Sequence, residues 1–92
     1  MSNQVINADM ARAIQADANR THVQFAWIVQ HDAPEHPGKY VARFATDRPT
    51  IYVLVADTLA EVQAMLPPGL NHFPRQPGDP PEVVEIWFSP SL

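Results

Sequence analysis

Four short runs of β-branched and aromatic residues constrain this chain most, because each alternates with the two-residue period of a β-strand. The runs cover residues 22–30, 40–45, 50–56 and 82–88. The first has an apolar face that we expect in the core, made of Val23, Phe25, Trp27 and Val29. Such strands must pair into a sheet and bury at least one face of it against another layer.

Two segments have helical patterns. Ile6, Met10 and Ile14 recur four residues apart, which predicts a helix over residues 7–18 with a narrow apolar stripe. The second helix follows the third strand and has clear end signals. Thr58 and Glu61 form the pair of a capping box, in which the hydroxyl accepts from the Glu61 amide and the carboxylate returns to the Thr58 amide.

Prolines mark the connections. Residues 31–39 hold two prolines and a glycine between two strands, which predicts a β-hairpin with a long, stiff tip. Pro67-Pro68-Gly69 ends the second helix. Residues 67–81 hold six of the 10 prolines, and we expect a long irregular connection there.

The predicted order of elements is α-β-β-β-α-β, which defines an α+β protein. The sheet is expected to be antiparallel, with three or four strands and a helix packed on one face. Ninety-two residues fill one domain, so residues 1–92 form a single unit. It comprises an N-terminal helical segment over 1–20 and an α+β core over 22–88.

Composition excludes several classes. The chain has no cysteine, hence no disulfide and no thiolate nucleophile, which favours a reducing compartment. Its net charge is −4 and Lys39 is the only lysine, which is unsuited to binding nucleic acid. No signal peptide and no apolar run of membrane-spanning length is present, so no membrane association is expected. We predict a soluble cytoplasmic protein.

The sequence has no pattern typical of an enzyme active site. A nucleophile elbow, a phosphate-binding glycine loop and a Ser/His/Asp order are all missing. Asp57 and Glu61 are explained by the positive end of a helix. Glu85 is expected to share a solvent-exposed face with Trp87 on an edge strand, although apolar neighbours could raise its pKa. We therefore predict neither catalysis nor a cofactor.

One loop could bind a metal. His31, Asp32 and His36 combine two imidazoles with a carboxylate, and His72 could approach them. The simpler interpretation is a solvated hairpin tip, where polar residues collect. A small-ligand or metal-binding domain remains the alternative function.

Aromatic residues on the strands indicate a protein interface. One helix covers one sheet face, so large aromatic side chains could remain on the other, where tryptophan and tyrosine favour binding hot spots. The candidate interface residues are Trp27, Arg43, Tyr52 and Trp87. Alternatively, the N-terminal helix covers that face. An unpaired edge strand would also allow strand-to-strand pairing with a second copy or a peptide.

Residues 26–66 resemble the N-terminal domain of HicB-type antitoxins. The shared pattern is a strand reading Tyr-x-Ala-x-Phe from Tyr40 to Phe44, then a third strand, then Asp-Thr-Leu-x-Glu from Asp57 to Glu61. The resemblance implies a partial ribonuclease-H-like layer without nuclease activity that binds a small toxin ribonuclease.

The leading hypothesis is a non-catalytic protein-binding module of bacterial origin. It would be antitoxin-like, or an inhibitor or adaptor of another protein, and a homodimer. The sequence does not identify its protein partner.

Overall fold

In a computed structural model that describes residues 3–90, the chain forms one six-stranded mixed sheet with two helices. The elements in chain order are β1 (Gln4–Val5), α1 (Ala8–Arg20), β2 (Ala26–His31), β3 (Tyr40–Ala45), β4 (Pro49–Ala56), α2 (Leu59–Met65), β5 (Asn71–Pro74) and β6 (Val83–Phe88). The strand order is β1-β4-β3-β2-β6-β5. Only β1 and β4 run parallel among the described strand pairs.

The α+β class is confirmed, but the predicted sheet was too small. Three or four antiparallel strands become six, because β1 and β5 add a strand at each edge. A two-residue strand such as β1 has no periodicity to detect. β5 lies inside the proline-rich connection, where Asn71 to Pro74 pair with β6. A second helix is also packed on the sheet.

Both helices cover the same face of the sheet. Ala11 and Ala18 from α1 and Val62 from α2 belong to one buried cluster with Trp27 and Val29 of β2. Phe25, Trp27 and Val29 are 0–3% exposed, as the alternation predicted, whereas the first position of that face, Val23, is 40% exposed. The regular strand starts only at Ala26.

Both helices begin at a capping side chain. The Asn7 side chain accepts from the Met10 amide at 2.8 Å, and the Thr58 hydroxyl oxygen accepts from the Glu61 amide at 3.1 Å. The second half of the capping box differs from the prediction. The Glu61 carboxylate accepts the Thr58 hydroxyl at 2.9 Å. Helix α2 ends at Met65, and its C-cap Leu66 directly precedes the predicted Pro-Pro-Gly stop.

The hairpin tip, residues 32–39, is an ordered loop. Asp32 has a positive φ of 61°, and its carboxylate accepts from the Gly38 amide at 2.6 Å. Gly38 has a φ of 74°, which a glycine adopts without strain. The Asp32 amide donates to the Lys39 carbonyl at 2.9 Å, which closes the loop. Among residues 3–90, no helix has the length and apolar character needed to cross a bilayer.

Candidate protein interface

The face of the sheet turned away from the helices is here called the open face. Directly paired residues share one face of a sheet, so the strand register identifies its members. One row crosses all six strands, in the order Val5, Val53, Arg43, Ile28, Ile86 and Phe73. Ala26, Ala45 and Phe88 form part of the next row. Both rows are mainly apolar.

The hairpin tip lies over part of the open face. Glu35 in this tip accepts from the Asn3 amide side chain at 3.1 Å and forms an ion pair with Arg43. Ala33 in the tip is 2% exposed, and Val53, the neighbour of Arg43 in the long row, is 0% exposed. The tip thus contacts β3 and the residue before β1.

On β5 and β6 the open face exposes two large apolar side chains. Phe73 is 48% exposed and Phe88 is 39% exposed. Their rings meet edge to face, with centroids 5.0 Å apart and planes at 87°. Ile28 and Ile86 lie half-buried beside them. Adjacent apolar groups that remain in contact with water mark a candidate docking surface.

Arg43 is the charged member of the long row, and it is neutralised within the chain. Its Nε donates to the Gln30 side-chain oxygen at 2.5 Å, and its guanidinium pairs with Glu35. Burial lowers the pKa of Arg43, but a guanidinium remains protonated in proteins. Together Arg43 and Glu35 add no net charge to the open face.

Both edges of the sheet are protected against strand addition. β1 has two residues and leads directly into α1. β5 has four residues and ends at Pro74, which has no amide hydrogen to donate. Short edge strands and edge prolines are two ways in which proteins block edge-to-edge pairing. The face is thus better suited to contact than the strand-to-strand pairing expected from the sequence.

The four predicted interface residues do not lie on one surface. Arg43 lies on the open face, whereas Trp27, Tyr52 and Trp87 lie on the helix side of the sheet. Trp27 is 0% exposed, and its indole N–H donates to the Gln15 side chain at 3.0 Å. Trp27 is therefore a core residue with no surface to offer a partner. Tyr52 and Trp87 are half-buried against the core.

The alternation within each strand, combined with the strand pairing, assigns each of these residues to one face of the sheet. Arg43 is paired with Ile28, the neighbour of Trp27 on the opposite face of β2. Reading the strand pairs by face would have grouped Arg43 with Ile28 and Ile86. Phe73 could not be found in this way, because its strand is hidden among prolines.

A buried carboxylate lies on the helix side, on β6. Glu85 is 7% exposed, and its oxygens accept from the Trp87 indole at 2.6 Å and the Gln63 amide at 2.8 Å. His72 Nε2 lies 3.1 Å from Glu85, and its ring is tilted against Trp87 with centroids 4.6 Å apart. The prediction of an exposed Glu85 on an edge strand is wrong, because β6 lies between β2 and β5.

The surroundings of Glu85 set its ionisation. Burial by itself would raise the pKa of this carboxyl, but the hydrogen bonds from Gln63, Trp87 and His72 outweigh burial and lower the pKa below its ordinary value. Glu85 is thus a carboxylate at neutral pH, and it connects α2, β5 and β6.

The histidine loop does not assemble a metal site. Among residues 3–90, no three His, Asp or Glu side chains are grouped closely enough to hold a metal ion. The His31 ring stacks on Tyr40 at 4.3 Å, and the Asp32 carboxylate binds the Gly38 amide. His72 lies beside Glu85 and Trp87.

Comparisons with protein-family models, with curated proteins and with solved structures find no match for this chain. The resemblance to HicB-type antitoxins therefore stays a prediction from the sequence.

Proposed function

We propose that this protein is a non-catalytic protein-binding module, of the antitoxin, inhibitor or adaptor type, that receives its partner on the open face. The observation that carries the proposal is the pair Phe73 and Phe88, 48% and 39% exposed beside half-buried Ile28 and Ile86. A partner that covers these side chains removes a continuous apolar surface from water.

Burial of these two rings would contribute favourably to binding. A phenylalanine presents about 200 Å², so covering the exposed half of Phe73 removes about 100 Å² and gives about 2.5 kcal/mol at ~25 cal/mol/Å². Phe88 contributes a similar amount. Two adjacent aromatic anchors are typical of the few residues that dominate an interface.

A capture experiment with matched variants tests the proposal. The parent protein, Phe73→Asp, Phe88→Asp and Met10→Asp are immobilised and exposed to lysate of the host cell. Met10 is the control, because it is an apolar residue 39% exposed on α1, away from the open face. Circular dichroism melts first establish that all four proteins are folded.

The proposal predicts at least one protein retained by the parent and by Met10→Asp but lost from both phenylalanine variants. Retention of the same proteins by all four would contradict it, since the partner would then bind elsewhere or non-specifically.

A further inference from the structure

The loop between β5 and β6 contains the one Asp–Pro peptide bond of the sequence, Asp79–Pro80. An aspartate carboxylate can attack its own carbonyl carbon by closing a five-membered ring, and proline then leaves as a secondary amine. We propose that this loop promotes that reaction, so that the folded chain cleaves itself between Asp79 and Pro80. The reaction is of the chain on itself and is independent of the proposed function.

The loop holds Asp79 at each of its polar groups. The Asp79 amide donates to the Gln76 carbonyl at 3.0 Å, which closes a turn with Pro77 at the position that proline favours. Oδ2 of Asp79 accepts from the Gln76 amide at 2.8 Å, which leaves Oδ1 for the attack. The Asp79 carbonyl accepts from the Arg75 guanidinium at 2.9 Å. The carboxylate and the carbonyl of the cleaved bond are thus restrained before the reaction, which lowers its entropic cost.

Arg75 is placed to stabilise the charge that the attack creates. Negative charge develops on the Asp79 carbonyl oxygen, and the permanently charged guanidinium already donates to that atom. A second, longer hydrogen bond from Arg75 to the Gln76 carbonyl, at 3.4 Å, keeps the guanidinium over the turn. Each of the other arginines pairs with a carboxylate. Among residues 3–90, Arg75 has no such ion pair, so its charge is available to the carbonyl.

The chemical steps need only water and a proton. Oδ1 of Asp79 forms a bond to its own carbonyl carbon, and an electron pair of the C=O bond moves to the oxygen beside Arg75. When the C=O bond forms again, the C–N bond to Pro80 breaks and the proline nitrogen takes a proton from solvent. Water then opens the cyclic anhydride at residue 79 to two carboxyl groups. Asp79 is partly exposed and Pro80 is exposed, so water can reach this intermediate.

The two pieces should remain associated after cleavage. Strand β6 begins at Val83, after the cleaved bond, and pairs with both β2 and β5. The Val83 amide also donates to the Pro80 carbonyl at 3.0 Å, which fixes the new N-terminus beside β6. We therefore expect a folded protein made of two chains, which separate only under denaturing conditions.

Mass spectrometry of the purified protein, incubated at about pH 5, tests the proposal. An ordinary aspartate is ionised at this pH, and protons are more available than at neutral pH. We expect one fragment that ends at Asp79 and one that begins at Pro80, with masses that sum to the parent plus one water. The folded protein should be cleaved about tenfold faster than the same protein in urea, because unfolding removes the Arg75 contact. Equal rates in the two states, or no cleavage of the folded protein, would overturn the proposal.

Three variants assign the roles, after circular dichroism has established that each is folded. Arg75→Met keeps the aliphatic part of the side chain but removes its donors, so it should cleave about tenfold more slowly. Arg48→Met, at an exposed arginine outside this loop, should cleave like the parent. Asp79→Glu should not cleave, because attack would require a less favourable six-membered ring, whereas a contaminating protease would still cut this loop. Cleavage of Asp79→Glu, or equal rates for Arg75→Met and Arg48→Met, would contradict the mechanism.

Discussion

At the scale of single residues, two buried polar groups connect layers of the fold. Glu85 holds α2 and β5 to β6 through three neighbours, Gln63, His72 and Trp87. Gln15 of α1 accepts from the Trp27 indole and donates to the Pro68 carbonyl at 2.9 Å. Buried polar groups are costly when a partner is removed, so both sites are sensitive to substitution.

Replacing the Glu85 carboxylate should make the protein less stable and less sensitive to acid. Glu85→Gln keeps the shape but turns an amide N–H₂ toward donors, which should cost about 1–3 kcal/mol of unfolding free energy at neutral pH. Glu82→Gln, at an exposed glutamate of the same chain segment, is the matched control and should change little. Urea unfolding measures both.

The pH dependence follows from the direction of the Glu85 pKa shift. The folded-state pKa is lowered, so the carboxylate stabilises the fold above the ordinary glutamate value of about 4.3. This contribution is lost as the pH falls through the folded-state value. The parent should therefore lose stability below about pH 5 more steeply than Glu85→Gln. Parallel pH curves for the two proteins would contradict the assignment.

Removing the acceptor of the buried indole should destabilise the core. Gln15→Met keeps the length of the side chain but leaves the Trp27 N–H without its partner, at an expected cost of about 1–3 kcal/mol. Gln24→Met, at an exposed glutamine, is the control. Thermal melts followed by tryptophan fluorescence measure the difference, and equal melting temperatures would show that the hydrogen bond contributes nothing.

At the scale of elements, α2 depends on its N-cap residue, Thr58, more than a long helix would. It has 7 residues, Leu59–Met65, too few to be stable without tertiary contacts. Its Thr58 cap satisfies the Glu61 amide, and Val62 fixes the helix in the core at 0% exposure. Capping and packing together compensate for its short length.

Removal of that cap is expected to be costly, whereas a conservative replacement is not. Thr58→Ala should lower the unfolding free energy by about 0.5–2 kcal/mol, and Thr58→Ser should restore most of it because serine offers the same oxygen. Denaturant unfolding of the three proteins measures the effect. A serine variant as unstable as the alanine variant would show that the threonine methyl group, rather than the cap, matters.

Elements whose signals are local could be predicted, and those that depend on tertiary pairing could not. β3 was predicted as residues 40–45 and is found over Tyr40–Ala45, because its alternation is complete within the strand. β5 has four exposed residues and is a strand only because β6 lies beside it. The open face is likewise defined by the pairing of strands, including that of β5 with β6. Arg43, on a strand with a local signal, could therefore be named as a candidate interface residue, whereas Phe73 on β5 could not.

At the scale of the whole molecule, the sheet combines short edge strands with an exposed apolar face. The sheet ends in a two-residue strand on one side and in a strand closed by Pro74 on the other. Its open face, in contrast, exposes Phe73 and Phe88. We therefore expect a partner to contact the side chains of the open face rather than to pair with an edge strand.

Amide chemical shifts of the isotope-labelled protein, recorded as the protein captured from the lysate is added, test binding through the open face most directly. We expect the shifts to change in β5, β6 and β2, with the outer surface of α1 around Met10 unchanged. Changes centred on α1, or unchanged spectra on addition of the partner, would contradict binding through the open face.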